Sequence, residues 1–141
     1  MTAEEKLIQA IKETAKEWLY DTKDFTCYMD TNSGSCGDFA LRVNEKLKGE
    51  EGFEITCTGE VLEKNGIENY GKEGYSNHVW IKYNDKHYDI ERINGVEDWR
   101  ELPYFKREEK MKQLKIYDQQ LYELILQNIE EYKDLICDSY V

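Results

Sequence analysis

Two short alternating runs, His78 to Tyr83 and Lys86 to Glu91, are separated only by Asn84-Asp85. Asparagine and aspartate tolerate the positive φ angles of a two-residue hairpin turn, so the spacing predicts two antiparallel strands, 78–83 and 86–91. Closing the turn there fixes a register in which Tyr83 faces Lys86, Trp80 faces Asp89 and His78 faces Glu91. Side chains alternate along a strand, so His78, Trp80, Asp89 and Glu91 share one sheet face. Opposite positions lie about 5 Å apart and diagonal ones about 7–8 Å, so either carboxylate is within reach of the imidazole. A slip of one residue would carry both acids to the wrong face. His87 is read as lying on the face opposite His78, structural or exposed, and Trp80 with Tyr88 as core.

A second constraint lies upstream. Ser35-Cys36-Gly37-Asp38 leads directly into a run with apolar residues at 39, 40, 43 and 47, the spacing of one helical face, and Gly49 follows as a left-handed C-terminal cap. Ser35 with Asp38 three residues on reads as a capping box, which places Cys36 at the first helical position. The unpaired N–H groups and positive dipole end of a helix start favour a thiolate. A cysteine at a helix start is, taken singly, a small buried hydrophobe. Followed in order by a strand histidine and a strand carboxylate, it becomes a candidate nucleophile: Cys36 attacks, His78 serves as base and then acid, and Asp89 orients the imidazole, with Glu91 as the second choice of acid.

Around these segments, Thr2 and Glu5 open an N-terminal helix whose buried stripe is Leu7, Ile8, Ile11, Ala15, Trp18 and Leu19. Residues 21–34 lose periodicity and read as a loop. Residues 53–62 alternate and read as a strand, and the glycine-rich stretch 64–77 reads as a mobile loop beside the site. Ile93 to Phe105 reads as irregular. The tail from Lys106 is helical, with the stripe Leu121, Leu124, Ile125, Ile129, Tyr132 and Ile136, and 106–116 forms a separate, more highly charged segment. With no repeat and no linker, residues 1–141 are expected to form a single α+β domain.

Thirty acidic against 19 basic side chains give a net charge of −11, which argues against nucleic acid or an anionic membrane as the main partner and suits a basic one. Cys27, Cys36, Cys57 and Cys137 include no Cys-x-x-Cys pair and no zinc-ligand spacing, so no metal or other cofactor is called for. The charged N-terminal residues do not form a signal peptide and no apolar stretch approaches membrane-spanning length, so a cytoplasmic location is expected. The oligomeric state is not legible.

Gly34-Ser35-Cys36, His78-Val79-Trp80 and Tyr88-Asp89-Ile90 together resemble the transglutaminase-like, papain-like cysteine superfamily. The likeness spans residues 34–91. It implies a cysteine-bearing helix packed on an antiparallel sheet of about three strands, flanked by N- and C-terminal helices. It also implies cysteine-dependent acyl transfer or amide hydrolysis on a peptide, protein or amide substrate. The family's acid falls on Asp89, although the separation of histidine and acid is several residues shorter here than in typical members. Papain-like proteases carry a glutamine donor where this chain has Asp30, which leaves Asn32 or Tyr28 as oxyanion candidates beside the Cys36 N–H. The stretches Cys36-Gly37-Asp38-Phe39-Ala40 and Leu102-Pro103-Tyr104-Phe105 also resemble small phage and bacterial proteins of unassigned function. The alternative reading is an acidic, non-catalytic binding protein on the same fold, such as a phage-type inhibitor of a host protein.

Overall fold

The computed structural model describes residues 1–21, 32, 35–64 and 77–128. Helix α1 (Ala3–Asp21) begins where the Thr2 hydroxyl accepts the Glu5 N–H at 3.1 Å, with Glu4 and Glu5 against the positive end of the dipole. It buries Leu7, Ala10, Ile11, Thr14, Ala15 and Trp18 at three- and four-residue intervals, with Ile8 half-buried at the margin. The Leu19 side chain lies outside the described residues.

Helix α2 (Cys36–Lys46) buries Phe39, Ala40 and Val43, with Leu47 just beyond its end, and the chain leaves through Gly49 at φ 94°. The expected capping box does not form. Ser35 sits at φ −114°, ψ 13° instead of in the extended region a capping side chain needs, and its hydroxyl makes no cap bond. Its carbonyl nevertheless starts the helix by accepting the Phe39 N–H at 3.0 Å.

The sheet has four antiparallel strands in the order β1-β2-β3-β4, one more than expected. These are β1 (Phe53–Cys57), β2 (Val79–Tyr83), β3 (Lys86–Asp89) and β4 (Arg92–Val96). The hairpin register is the expected one, with Tyr83 opposite Lys86 and Ile81 opposite Tyr88, and Asn84 and Asp85 at φ 51° and 63° form the turn. Three boundaries differ. Residues 58–62 are not strand: β1 stops at Cys57, and α3 (Thr58–Lys64) begins where Thr58-Gly59 breaks the alternation. β3 stops at Asp89 because the chain turns back at once into β4, which the lack of an alternating apolar pattern and the central Gly95 concealed. The C-terminal helical region begins at Pro103, with proline in the first turn, and divides into α4 (Pro103–Tyr117) and α5 (Gln119–Gln127) at Asp118, whose side chain caps the second helix by accepting the Leu121 N–H at 3.1 Å. Of the tail stripe, Ile125 is buried, Leu121 half-buried and Leu124 exposed. Ile129, Tyr132 and Ile136 lie outside the described residues, as do Cys27, Cys137 and nearly all of the two expected loops.

Each face of the sheet has its own core. Ile81, Tyr88 and Ile90 pack against α1 and α2, while Trp80 on the other face packs with Val61, Trp99, Leu102 and Phe105. This second cluster is a lattice of near-perpendicular and stacked rings, with Trp80–Phe105 at 5.5 Å and Trp99–Phe105 at 4.7 Å. His87 belongs to this face, contrary to expectation. Alternation from Asp89, two residues on, puts it beside Trp80, and its Nδ1 accepts the Trp80 indole N–H at 2.9 Å. Burial and the Lys82 charge lower its pKa, consistent with a neutral ring that keeps a lone pair for the indole. No described helix is long and apolar enough to cross a membrane.

Gly95 makes β4 possible beside Tyr88. At φ 80°, a Cβ there would sit 2.6 Å from the ring of a fully buried tyrosine. Gly49 also has positive φ but faces open space. Gly95→Ala is therefore expected to cost about 2–5 kcal/mol, conformational strain and overpacking together, against about 1–2 kcal/mol for Gly49→Ala. Urea unfolding midpoints at constant m-value measure the difference, and equal losses would mean the Tyr88 ring yields freely.

Candidate active site

Asp89 ends β3 in a two-residue turn, and its carboxylate organises the site. Oδ1 accepts the backbone N–H groups of Glu91 at 2.9 Å and Arg92 at 3.0 Å, which shapes the turn. Oδ2 lies 3.0 Å from His78 Nε2 and accepts an amide N–H of Asn32 at 3.3 Å. An ionised carboxylate only accepts, so Nε2 carries the proton in this pair. Both residues are buried, His78 completely.

The position of His78 is set through its backbone. It immediately precedes β2, its N–H donates to the Thr58 hydroxyl at 2.8 Å, and its carbonyl accepts the Thr58 N–H at 3.1 Å. Thr58 itself is fully buried. The imidazole is then held face-on by Tyr104, with ring centroids 4.4 Å apart and planes 11° apart, and by Trp80 at 5.6 Å and 27°. Phe105 adds an edge at 5.7 Å.

Cys36, half-buried at the start of α2, meets this assembly from the other layer. Burial alone would raise its thiol pKa. A hydrogen bond and the charge of His78 oppose that, helped by the backbone N–H groups of Val79 and Gly37, and the net shift is downward from 9.0. Because Ser35 does not cap the helix, the Gly37 N–H is left to serve the sulfur. For His78, burial pulls the pKa down, but the Asp89 carboxylate and the Cys36 thiolate outweigh it, and the net shift is upward from 6.5. Nδ1, the ring nitrogen left to the thiol, has no partner at strict hydrogen-bond geometry. The thiol and the imidazole are thus coupled through charge, each shifting the other toward its charged form.

The structure separates the two acids. Asp89 binds the imidazole. Glu91 is turned away from it and gripped by Arg107 of α4 in a two-pronged ion pair, both N–O distances 2.7 Å, with no side-chain exposure at Glu91 and 12% at Arg107. Asn32 also donates to Glu91, at 2.9 Å. Its two side-chain amide hydrogens are thus engaged by Asp89 and Glu91, which leaves no side-chain N–H for an oxyanion. Tyr28 and Asp30 lie outside the described residues. Arg107 escaped the sequence reading because it sits in a charged helical run where one arginine resembles its neighbours. Its only signal was its position on the helix that follows Leu102-Pro103-Tyr104-Phe105. Among the described residues, no group of three or more His, Cys, Asp and Glu side chains is arranged to hold a metal ion.

No known protein-family profile, curated protein or solved structure matches this chain.

The opposing shifts of Cys36 and His78 give a pH signature. Cys36 alkylation by iodoacetamide should rise with pH through a midpoint below 9.0 and outpace Cys57 at neutral pH, because the thiolate is the reacting form. Replacing His78 with Asn removes the stabilising cation and should move the midpoint upward. By linkage, the His78 shift contributes stability fully below 6.5 and loses it as pH rises through the raised folded value. The Cys36 shift contributes above 9.0 and fades as pH falls through the lowered value. Equal labelling of Cys36 and Cys57 at neutral pH would show that the thiol is not activated.

Proposed function

We propose that this protein performs cysteine-dependent acyl transfer or amide hydrolysis on a transglutaminase-like, papain-like core. The observation that carries the reading is the buried 3.0 Å His78–Asp89 bond, with the Cys36 thiol on the remaining side of the imidazole at an uncapped helix start. The Cys36 thiolate attacks an acyl carbonyl. The negative oxygen that develops is stabilised by backbone N–H groups at the start of α2. His78 gives a proton to the departing amine or alkoxide, leaving a thioester on Cys36. It then takes a proton from water or an acceptor amine, which attacks the thioester and frees the thiol. Asp89 keeps the ring in the tautomer with the proton on Nε2 and stabilises its charged form. A peptide, protein or smaller amide would serve as substrate, and the net charge of −11 favours a basic one.

The engagement of Asn32 with the two acids supports a second reading, in which the arrangement persists in a non-catalytic binding protein. The two are separated by acylation. With p-nitrophenyl acetate, the enzyme reading expects a burst of nitrophenol and an acetyl adduct that intact and peptide mass spectrometry locate on Cys36. Cys36→Ala abolishes both, and Asp89→Asn cuts turnover by up to about 10⁴-fold while the protein remains folded. Absence of a Cys36 adduct from a folded, freely alkylated protein would favour the binder.

A further inference from the structure

The second carboxylate beside the site is unexplained by the chemistry above. Glu91 is fully buried, does not touch His78, and is joined to Asp89 twice: through the shared amide of Asn32 and through its own N–H, which Asp89 accepts. Its charge is met by the Arg107 fork. Arg92 approaches from β4, and its guanidinium donates to the Glu91 backbone carbonyl at 2.8 Å. Among the described residues, Asp89 on β3 and Cys36 on α2 act on His78 directly, Glu91 in the turn and Arg107 on α4 stand one step further out beyond Asn32, and Tyr104 is stacked on the ring.

We propose that Glu91 and Arg107 are positioning residues of this site, a buried ion pair that holds Asn32 and Asp89 in line and balances the charge beside His78. A carboxylate oriented only by a turn could rotate away from the imidazole. Asn32 prevents this by bridging the two acids, and it can do so only while the Glu91 oxygen it donates to is held in place. Arg107 fixes it at both oxygens and cancels a negative charge that would otherwise oppose thiolate formation at Cys36. The same helix start that lays Tyr104 on the ring carries Arg107 one turn later, so the docking of α4 completes the site.

This inference rests on the Cys36–His78–Asp89 reading, and the charge signs test it separately. The readout is the pH midpoint of Cys36 alkylation in the full chain. Glu91→Gln removes an anion and leaves Arg107 in excess, so the midpoint falls. Arg107→Gln leaves Glu91 uncompensated, so it rises. Each shift should reach roughly half a unit or more. The double variant Glu91→Gln/Arg107→Gln returns close to the wild-type midpoint, and Arg107→Lys, which keeps the cation, stays closer to wild type than Arg107→Gln. A purely structural ion pair would give both single variants the same direction of change or none, and either result overturns the proposal. Should Arg107→Gln fail to fold, the comparison passes to Glu91→Gln against the double variant: the double must lie at higher pH, and coincidence of the two overturns it. Wild-type Cys36 reacting no faster than Cys57 would overturn the site reading and this inference together. Fast wild-type reaction with midpoints that do not move overturns the inference alone.

Discussion

Burying an ionised carboxylate is costly unless its oxygens are hydrogen-bonded, and Asp89 meets this condition in a way that joins architecture to chemistry. One oxygen accepts the two N–H groups that turn β3 into β4, and the other accepts His78 and Asn32. The sheet needs this side chain to reverse direction after β3, and the imidazole needs it to hold a tautomer. Truncating Asp89 would therefore leave orphan donors in the turn and in the site at once. An asparagine in its place keeps one acceptor oxygen, enough for the turn or for the imidazole but not for both, and gives up the charge.

The remaining supports come from elements distant in sequence. Thr58, at the start of α3, holds the His78 backbone from the β1 side, while Tyr104 and Phe105 at the start of α4 cover the ring from outside the sheet. The aromatic cluster of Trp80, Trp99 and Phe105 provides the stiff base for this cover, and the one polar atom that Trp80 buries there is satisfied by neutral His87. The site is thus built where a short helix, a hairpin and a long helix converge. Cys36 is contributed by α2, which packs mainly on the opposite sheet face.

Much of this was legible because it follows from short-range rules. Asn84-Asp85 specifies its turn, the turn specifies the register, and the register places Asp89 within reach of His78. The apolar spacing after Cys36 locates α2 correctly. Failures arose where a local pattern was ambiguous or tertiary contact decided. Alternation through residues 53–62 concealed the switch to helix at Thr58, because half of that pattern also fits a short helix with Val61 inward. Strand β4 lacks an apolar stripe, being held by hydrogen bonds and a glycine that fits against Tyr88. His87 was misplaced although parity from Asp89 was enough to place it. The roles of Glu91 and Arg107 depend on how α4 docks, which no spacing rule within the hairpin could supply.

The enclosure of His78 carries one more implication. Tyr104 and Trp80 stack against the ring, and its Nε2 is closed off by a carboxylate. Among the described residues, the Nδ1 corner is the ring nitrogen without a hydrogen-bond partner, and that corner is the one left to Cys36. On the proposed chemistry, the ring would exchange protons with whatever occupies the space beside the sulfur: thiol, leaving group or attacking nucleophile.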